Sequence, residues 1–339
     1  MSEMNWSRTD LIDESEEIVL HQTREQKEKL EDTSGVKIDD SKYGRVHVTD
    51  VKVNEDGENR IGKKQGQYVT ISVPTLTVDD KDGFSQLESV LLEQLEALHA
   101  DLTWGEDDKV LVIGLGNRVI TPDAIGPFAI EHLHNSEQID ERLIMYAPGV
   151  TGQTGYETGE FVAALAERIK PNLIIVIDAL ATRASTRLCK TVQLTNTGIH
   201  PGSGVGNQRQ EISYEVLGVP VTAIGVPTVV DAPVLIADSI ELMLRSIASR
   251  VGERGKPSSK LSVTSWHPDE KQEVDMSLVT PIFGEWATWP KEDRLQLFEE
   301  IFSTAQSQLM VTPKEMDLWV EHYAVLISSV ITKWISNKN

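Results

Sequence analysis

Four mainly apolar runs punctuate the middle of the chain, at residues 110–113, 143–147 and 173–177 and from Pro220, the last closed by Pro227 and the acid Asp231. Short apolar runs bounded by turn formers fit strands buried on both faces, as in parallel sheets. Helical patterns separate them, one beginning near Pro122, one over residues 161–169 and one from about Pro233 to Arg250. Strand, loop and helix therefore alternate. That order predicts an α/β fold: a doubly wound, mostly parallel sheet with helices on both faces.

Upstream the period changes to two. Val46, Val48, Val51 and Val53, a turn at Asp56 and Gly57, and an apolar stretch over 68–73 closed by Pro74 predict an N-terminal β-rich extension of antiparallel strands. Phe84, Leu87, Val90, Leu91, Leu95 and Leu98 recur at helical spacing, predicting a helix over 83–100 that leads into the first buried strand. Downstream, residues 252–280 have no clear period and read as a surface insertion, followed by a polar helix from Trp289 to Leu309. Thr312 and Glu315 make a capping-box pattern before a last helix. Its apolar stripe is Met316, Trp319, Val320, Tyr323, Ile327, Val330 and Trp334. The expected segments are an N-terminal part over 11–100, an α/β core over 101–250, an insertion over 251–308 and C-terminal helical residues 309–339 docking on the core.

Composition narrows the function. The formal net charge is −21 and the sequence pI about 4.8, so the surface repels phosphate backbones and tolerates a basic or neutral polypeptide. Direct nucleic-acid binding is not expected. The single cysteine, Cys189, permits no intrachain disulfide and reads as a small buried hydrophobe. The first residues lack a basic start followed by an apolar core, and no run of 18 apolar residues occurs, so a cytoplasmic protein without a membrane partner is expected.

Candidate chemistry collects after the buried strands. Gly114, Gly116 and Asn117 permit a tight backbone beyond the first one, and Thr121, Pro122 and Asp123 look like N-cap, first helical residue and first-turn acid. Asp in a first turn also serves the helix dipole alone. Residues 114–117 lack the third glycine of a dinucleotide fingerprint, so no nucleotide cofactor is expected. Asp178 follows five aliphatics and requires a polar cleft or neutralisation, unless it caps a turn over 179–182 or pairs with Arg183. Asp231 is a third acid at a strand exit. Two glycine-rich stretches supply backbone amides: one contains Gly149 and Gly152, the other His200, Gly202, Ser203 and Gly204. Ser203 lacks the context of a nucleophile elbow. His132 and His134 point to different sides of a helix, which favours solvent exposure over shared metal ligation.

Several segments together resemble the spore germination protease family. They are residues 114–127 (Gly-Leu-Gly-Asn-Arg-Val-Ile-Thr-Pro-Asp-Ala-Ile-Gly-Pro), 176–183 (Val-Ile-Asp-Ala-Leu-Ala-Thr-Arg), 198–207, 224–231 and 309–315. The likeness covers about residues 8–250 and 309–320. It implies an endopeptidase of small acid-soluble spore proteins in the spore core. It also implies an atypical aspartic peptidase whose catalytic acids are Asp123 and Asp178, and a homotetrameric zymogen that removes its own propeptide, residues 1–10. Arg8, Thr9, Asp10 and Leu11 resemble the processing site, with the cut between Asp10 and Leu11. The family's sheet is similar to that of hydrogenase-maturation peptidases, whose corresponding acid binds nickel. In such a dyad, repulsion and partial burial keep one carboxyl protonated while the other activates water, and the amides near Gly149 and Gly152 or Gly202 and Gly204 face the oxyanion. Two alternatives stay open: a metal-dependent peptidase using Asp123, Asp178 and His200, and a non-catalytic peptide-binding sheet domain.

Overall fold

The structure is a computed structural model that describes residues 35–105, 107–136, 139–150, 157–201, 210–252, 274–304 and 309–338. The described residues fall into two compact units, one within Met1–Thr182, Thr186–Val229 and Thr312–Asn339, the other within Arg183–Ser185 and Val230–Val311.

The larger unit is built on a mixed sheet. Strands β1 (Val36–Tyr43) and β2 (Val46–Val53) pair antiparallel across the Tyr43 and Val46 register, as the period of two requires. Where a turn at Asp56 and Gly57 is expected, the chain makes helix α1 (Glu55–Ile61). Asn54 caps it by accepting from Gly57 N at 3.0 Å. Gly57 serves close approach: a Cβ there would lie 2.6 Å from Gly35 O. Strand β3 (Gly66–Ser72) pairs antiparallel with β2 and then with β7 (Thr191–Thr195). The N-terminal strands thus extend the main sheet.

Helix α2 (Lys81–Leu98) leads to β4 (Val110–Gly114), which pairs parallel with β5 (Leu143–Tyr146) and β6 (Leu173–Thr182). Helix α3 (Ile125–His134) connects β4 to β5, and α4 (Thr158–Ile169) connects β5 to β6. The short α5 (Tyr214–Leu217) precedes β8 (Val221–Asp231), which pairs antiparallel with β7. The strand order is β1-β2-β3-β7-β8-β6-β4-β5.

Side-chain alternation along β4 and β6 divides the apolar core between two layers. Val110, Val112, Leu173, Ile175 and Ile177 pack with α2, α3 and a C-terminal helix, α9 (Met316–Ser336). Leu111, Ile113, Ile174, Val176 and Leu180 pack with Val162 and Ala166 of α4 and with Ile199 and Ile212. Helices cover both faces, as the alternating pattern requires. The stripe on α9 is buried, although the expected capping box does not form: Glu315 occupies the N-cap without a side-chain cap bond. Cys189 is fully buried.

In the smaller unit, α6 (Ala232–Gly252) buries Leu244 and Ala248 with Val279 and Ala287. The short α7 (Thr280–Phe283) and α8 (Lys291–Thr304) follow, so the polar helix is shorter at both ends than its pattern. Arg294 of α8 is buried, paired with Glu241 and donating to Ala287 O at 3.1 Å. Strand β9 (Met310–Val311) pairs with Asp231 and Val230 at the end of β8. Among the described residues no helix is long and apolar enough to cross a membrane.

His99, at the C-cap of α2, ties that helix to the sheet and to α9. It is 4% exposed, its Nε2 lies 3.0 Å from Thr222 Oγ1, and its ring centroid is 5.4 Å from that of Trp334. Burial pushes its imidazole down to about 4 from 6.5. The unfolded chain therefore takes up a proton that the folded chain refuses, and the associated stability is lost as pH falls from about 6.5 toward 4. Urea unfolding at pH 7 and pH 4.5 is expected to show His99→Gln losing less stability on acidification than wild type, by on the order of 2 kcal/mol. Equal losses would refute the assignment.

Candidate active site

The backbone beyond β4 is drawn against two neighbours at once. A Cβ on Gly114 would sit 2.2 Å from Gly126 O, so only glycine lets the start of α3 lie on the strand end. Leu115 N donates to Ile177 O at 2.8 Å, carrying the β4 to β6 pairing past the end of β4. Gly116 has φ +111°, and a Cβ there would be 2.0 Å from Asp123 O. Asn117 N then donates to Asp123 Oδ2 at 2.8 Å. A run of bonds closes the loop: Val119 N to Asn117 Oδ1 at 3.0 Å, Ile120 N to Asn117 O at 3.0 Å, and Asp123 N to Ile120 O at 2.8 Å.

Thr121–Asp123 is a single 3₁₀ turn, and α3 begins at Ile125. This corrects the expected start, since Thr121 is not a side-chain N-cap and Asp123 precedes the α-helix. The carboxylate of Asp123 is turned back to the amide of Asn117, so it closes the loop instead of capping the helix.

Asp178 lies inside β6, which continues to Thr182, so neither a strand exit at Ile177 nor a turn over 179–182 exists. Its side chain shares the parity of Ile174, Val176 and Leu180, on the face that α4, Ile199 and Ile212 cover. It is 5% exposed, and its Oδ1 accepts from Ala179 N at 2.9 Å. Ile177, the residue before it, is the one bonded to Leu115, and its carbonyl would lie 2.7 Å from a Cβ on Gly126. The two acids therefore sit on segments joined by one backbone relay: Ile177 to Leu115, then through Gly116 and Asn117 to Asp123.

A cleft of about 560 Å³ opens beside this relay, lined by Gly116, Arg118, Pro127, Glu131, Pro148 and Gly149 among others. It sits beyond the ends of β4 and β5, where open α/β sheets bind ligands. Gly116 and Gly149, both expected on sequence grounds to face a substrate, line this cleft, as do Arg118, Glu131 and His134, which were not singled out for it. Pro127, Glu131 and Asn135 follow i, i+4 spacing on one side of α3, the signal that could have found them. Arg118 is held by Glu131 at 2.6 Å and lies 5.2 Å over the Phe128 ring.

The two glycine-rich stretches meet at their flanks. Gln210 N donates to Glu157 Oε1, and a Cβ on Gly159 would lie 2.8 Å from Gln210 O. Gly152, Gly202, Ser203, Gly204, Asp10 and Leu11 lie outside the described residues. His200 is exposed and faces Glu211 at 3.6 Å; Glu211 in turn bonds Lys64 at 2.5 Å. His132 is half-buried, with Glu321 of α9 at 3.0 Å, in place of the expected free exposure. Among the described residues no three His, Cys, Asp or Glu side chains are placed to hold one metal ion.

The sequence profile of a family described as germination protease matches residues 12–338. The chain is 37% identical to the germination protease of Geobacillus sp. (strain WCH70) over 95% of its own length and 91% of the relative's. It is 36% identical to that of Halalkalibacterium halodurans and 35% to that of Priestia megaterium, each with the same 95% and 91% coverage. Among solved structures, the NiFe hydrogenase maturation protease HycI from Thermococcus kodakarensis KOD1 aligns over 40% of this chain and 80% of its own, with TM-score 0.28 and 19% identity.

The closeness of Gly126 to both Leu115 and Ile177 makes a direct prediction. Gly126→Ala forces a methyl against two backbone oxygens and is expected to lose about 1–3 kcal/mol, seen as a lower urea midpoint. An unchanged midpoint would show that the approach is not tight.

Proposed function

Because the chain belongs to the germination protease family, we propose that it is the self-processing endopeptidase that begins the degradation of small acid-soluble spore proteins in the spore core, using Asp123 and Asp178 as an acid and base pair. The observation that carries this reading is the backbone relay from Ile177 through Leu115 and Asn117 to Asp123, which leads from one acid to the other beside a cleft.

In the proposed reaction one carboxylate takes a proton from water as the oxygen attacks the scissile carbonyl carbon. The protonated partner donates a hydrogen bond to the carbonyl oxygen. The tetrahedral intermediate collapses when the C–N bond breaks and the amine leaves with a proton from the pair, so the enzyme returns to one proton shared between two acids. Backbone amides of the glycine-rich stretches supply oxyanion stabilisation, a task that needs N–H groups and no particular side chain. The amide of Asn117, donating to Asp123 Oδ2 at 2.8 Å, orients the carboxyl group.

Self-processing is proposed between Asp10 and Leu11, removing residues 1–10 from a zymogen, and the working assembly is proposed to be a homotetramer; family membership supports both. Aspartate to asparagine exchange preserves shape and one carbonyl acceptor, so Asp123→Asn and Asp178→Asn are expected to keep wild-type urea midpoints. Each is expected to cut a small acid-soluble spore protein at least 10²-fold more slowly, and to fail to expose Leu11 as a new N-terminus by mass spectrometry. Wild-type rates in both would end the dyad reading.

A further inference from the structure

The sheet that carries Asp178 also buries an amide side chain in a strand of aliphatic residues. Gln193 stands in β7 between Val192 and Leu194 and is 4% exposed. Those two neighbours pack into the core with α2, α3 and α9, so Gln193 lies on the opposite face of the sheet, the one Asp178 shares. Burying an amide there is unfavourable unless a polar group meets it.

The strand register puts the two residues in one row. Ile174 N donates to Pro220 O at 2.9 Å, which in a parallel pair sets Ile174 beside Val221 and, four residues on, Asp178 beside Gly225. Both positions lie inside continuous strands. Ile174, Val176, Val221 and Ala223 share one apolar cluster, as this alignment requires. Gly225 in turn pairs with Gln193, and Gln193 with Thr70 of β3. Two strand spacings, about 10 Å, therefore separate the main chains of Asp178 and Gln193. Gly225 puts no side chain between them, so a glutamine amide leaning over it reaches toward the carboxyl group. The nearest residues of β6 on the same face, Val176 and Leu180, are apolar. From this juxtaposition we propose that Gln193 is a positioning residue for Asp178, its amide N–H donating across Gly225 to the carboxylate, so that the acid keeps its orientation and its negative charge inside the sheet. The inference rests on the peptidase reading above and adds a group that holds one of its acids without touching the substrate.

A donor that favours the ionised form lowers the pH at which the acid pair gains its base, so losing it moves the acidic limb of the pH–rate profile upward. The test follows self-processing of the full-length chain across pH, as the rate at which Leu11 appears at a new N-terminus by mass spectrometry. In Gln193→Met, which keeps the length and loses the amide, the acidic limb is expected to shift up by about one pH unit, slowing the rate about tenfold on that limb. Thr195→Val removes another buried polar group on the same strand and face, one that bonds Gln67 O at 2.9 Å, and is expected to leave the limb in place. If Gln193→Met does not fold, Gln193→Asn, whose amide is drawn back by one carbon, is expected to show the same shift. Urea midpoints supply a readout that needs no turnover. Gln193→Met is expected to lower the midpoint more in the wild-type background than in Asp178→Asn, while Thr195→Val lowers it equally in both. An unmoved limb in the folded Gln193 variant, the same shift in Thr195→Val, or equal midpoint losses for Gln193→Met in the two backgrounds overturns the proposal. A wild-type chain that never exposes Leu11 contradicts the peptidase reading itself, and the midpoints then still report whether Gln193 and Asp178 meet.

Discussion

The arrangement at the end of β4 depends on three backbones occupying space that side chains would normally fill. Gly114, Gly116 and Gly126 each face a main-chain oxygen at 2.2 Å or less from where a Cβ would be. A single methyl at any of them pushes α3 off the sheet or the Asp123 turn off the loop. The packing gain is that Leu115 reaches Ile177 across the strand ends, and Asn117 reaches the Asp123 carboxylate. Each acid thus accepts a main-chain amide, Asp123 from Asn117 and Asp178 from Ala179, and main chain has few alternative placements. Such a frame can hold a reacting pair in register without an entropic cost at each turnover.

The surrounding charge is consistent with this division of labour. A chain of net charge −21 spreads repulsion over its surface, and three of its buried or half-buried cations are neutralised locally: Arg294 by Glu241, Arg142 by Asp140, Lys64 by Glu211. Asp231 lies differently. Burial, with Glu299 nearby, raises its carboxyl above the usual range while Arg183 opposes the shift. Acids at strand ends in this fold therefore meet distinct environments, and position on a strand alone does not assign a role.

Much of the fold could be read from the residues because the signals were local. The runs at 110–113 and 173–177 are apolar on both faces, and the stripe on α9 is continuous, so neither admits another placement. What failed depended on contacts between distant segments. Gly57 looked like a turn residue, but it sits in α1 because Gly35 packs against it. Asp178 looked terminal because polarity usually ends a buried strand, yet β6 continues four residues beyond it, with Leu180 and Thr182 buried again. Thr121 resembled an N-cap, but the turn there is set by Asp123 bonding backward to Asn117, a loop closure that propensity cannot foresee. The cleft residues Glu131 and His134 carried only the weak signature of helical spacing, which ordinary solvated helix faces share, and Arg118, in the loop before α3, carried none.

The central claim is that Asp123 and Asp178 act on one water molecule. A crystal structure of the N-terminally processed protein, at a resolution that orders water, tests it most directly. The account predicts one water within about 2.6–3.2 Å of an oxygen of each carboxylate, open to the cleft. Separate waters, or a carboxylate closed off in its own ion pair, would contradict it.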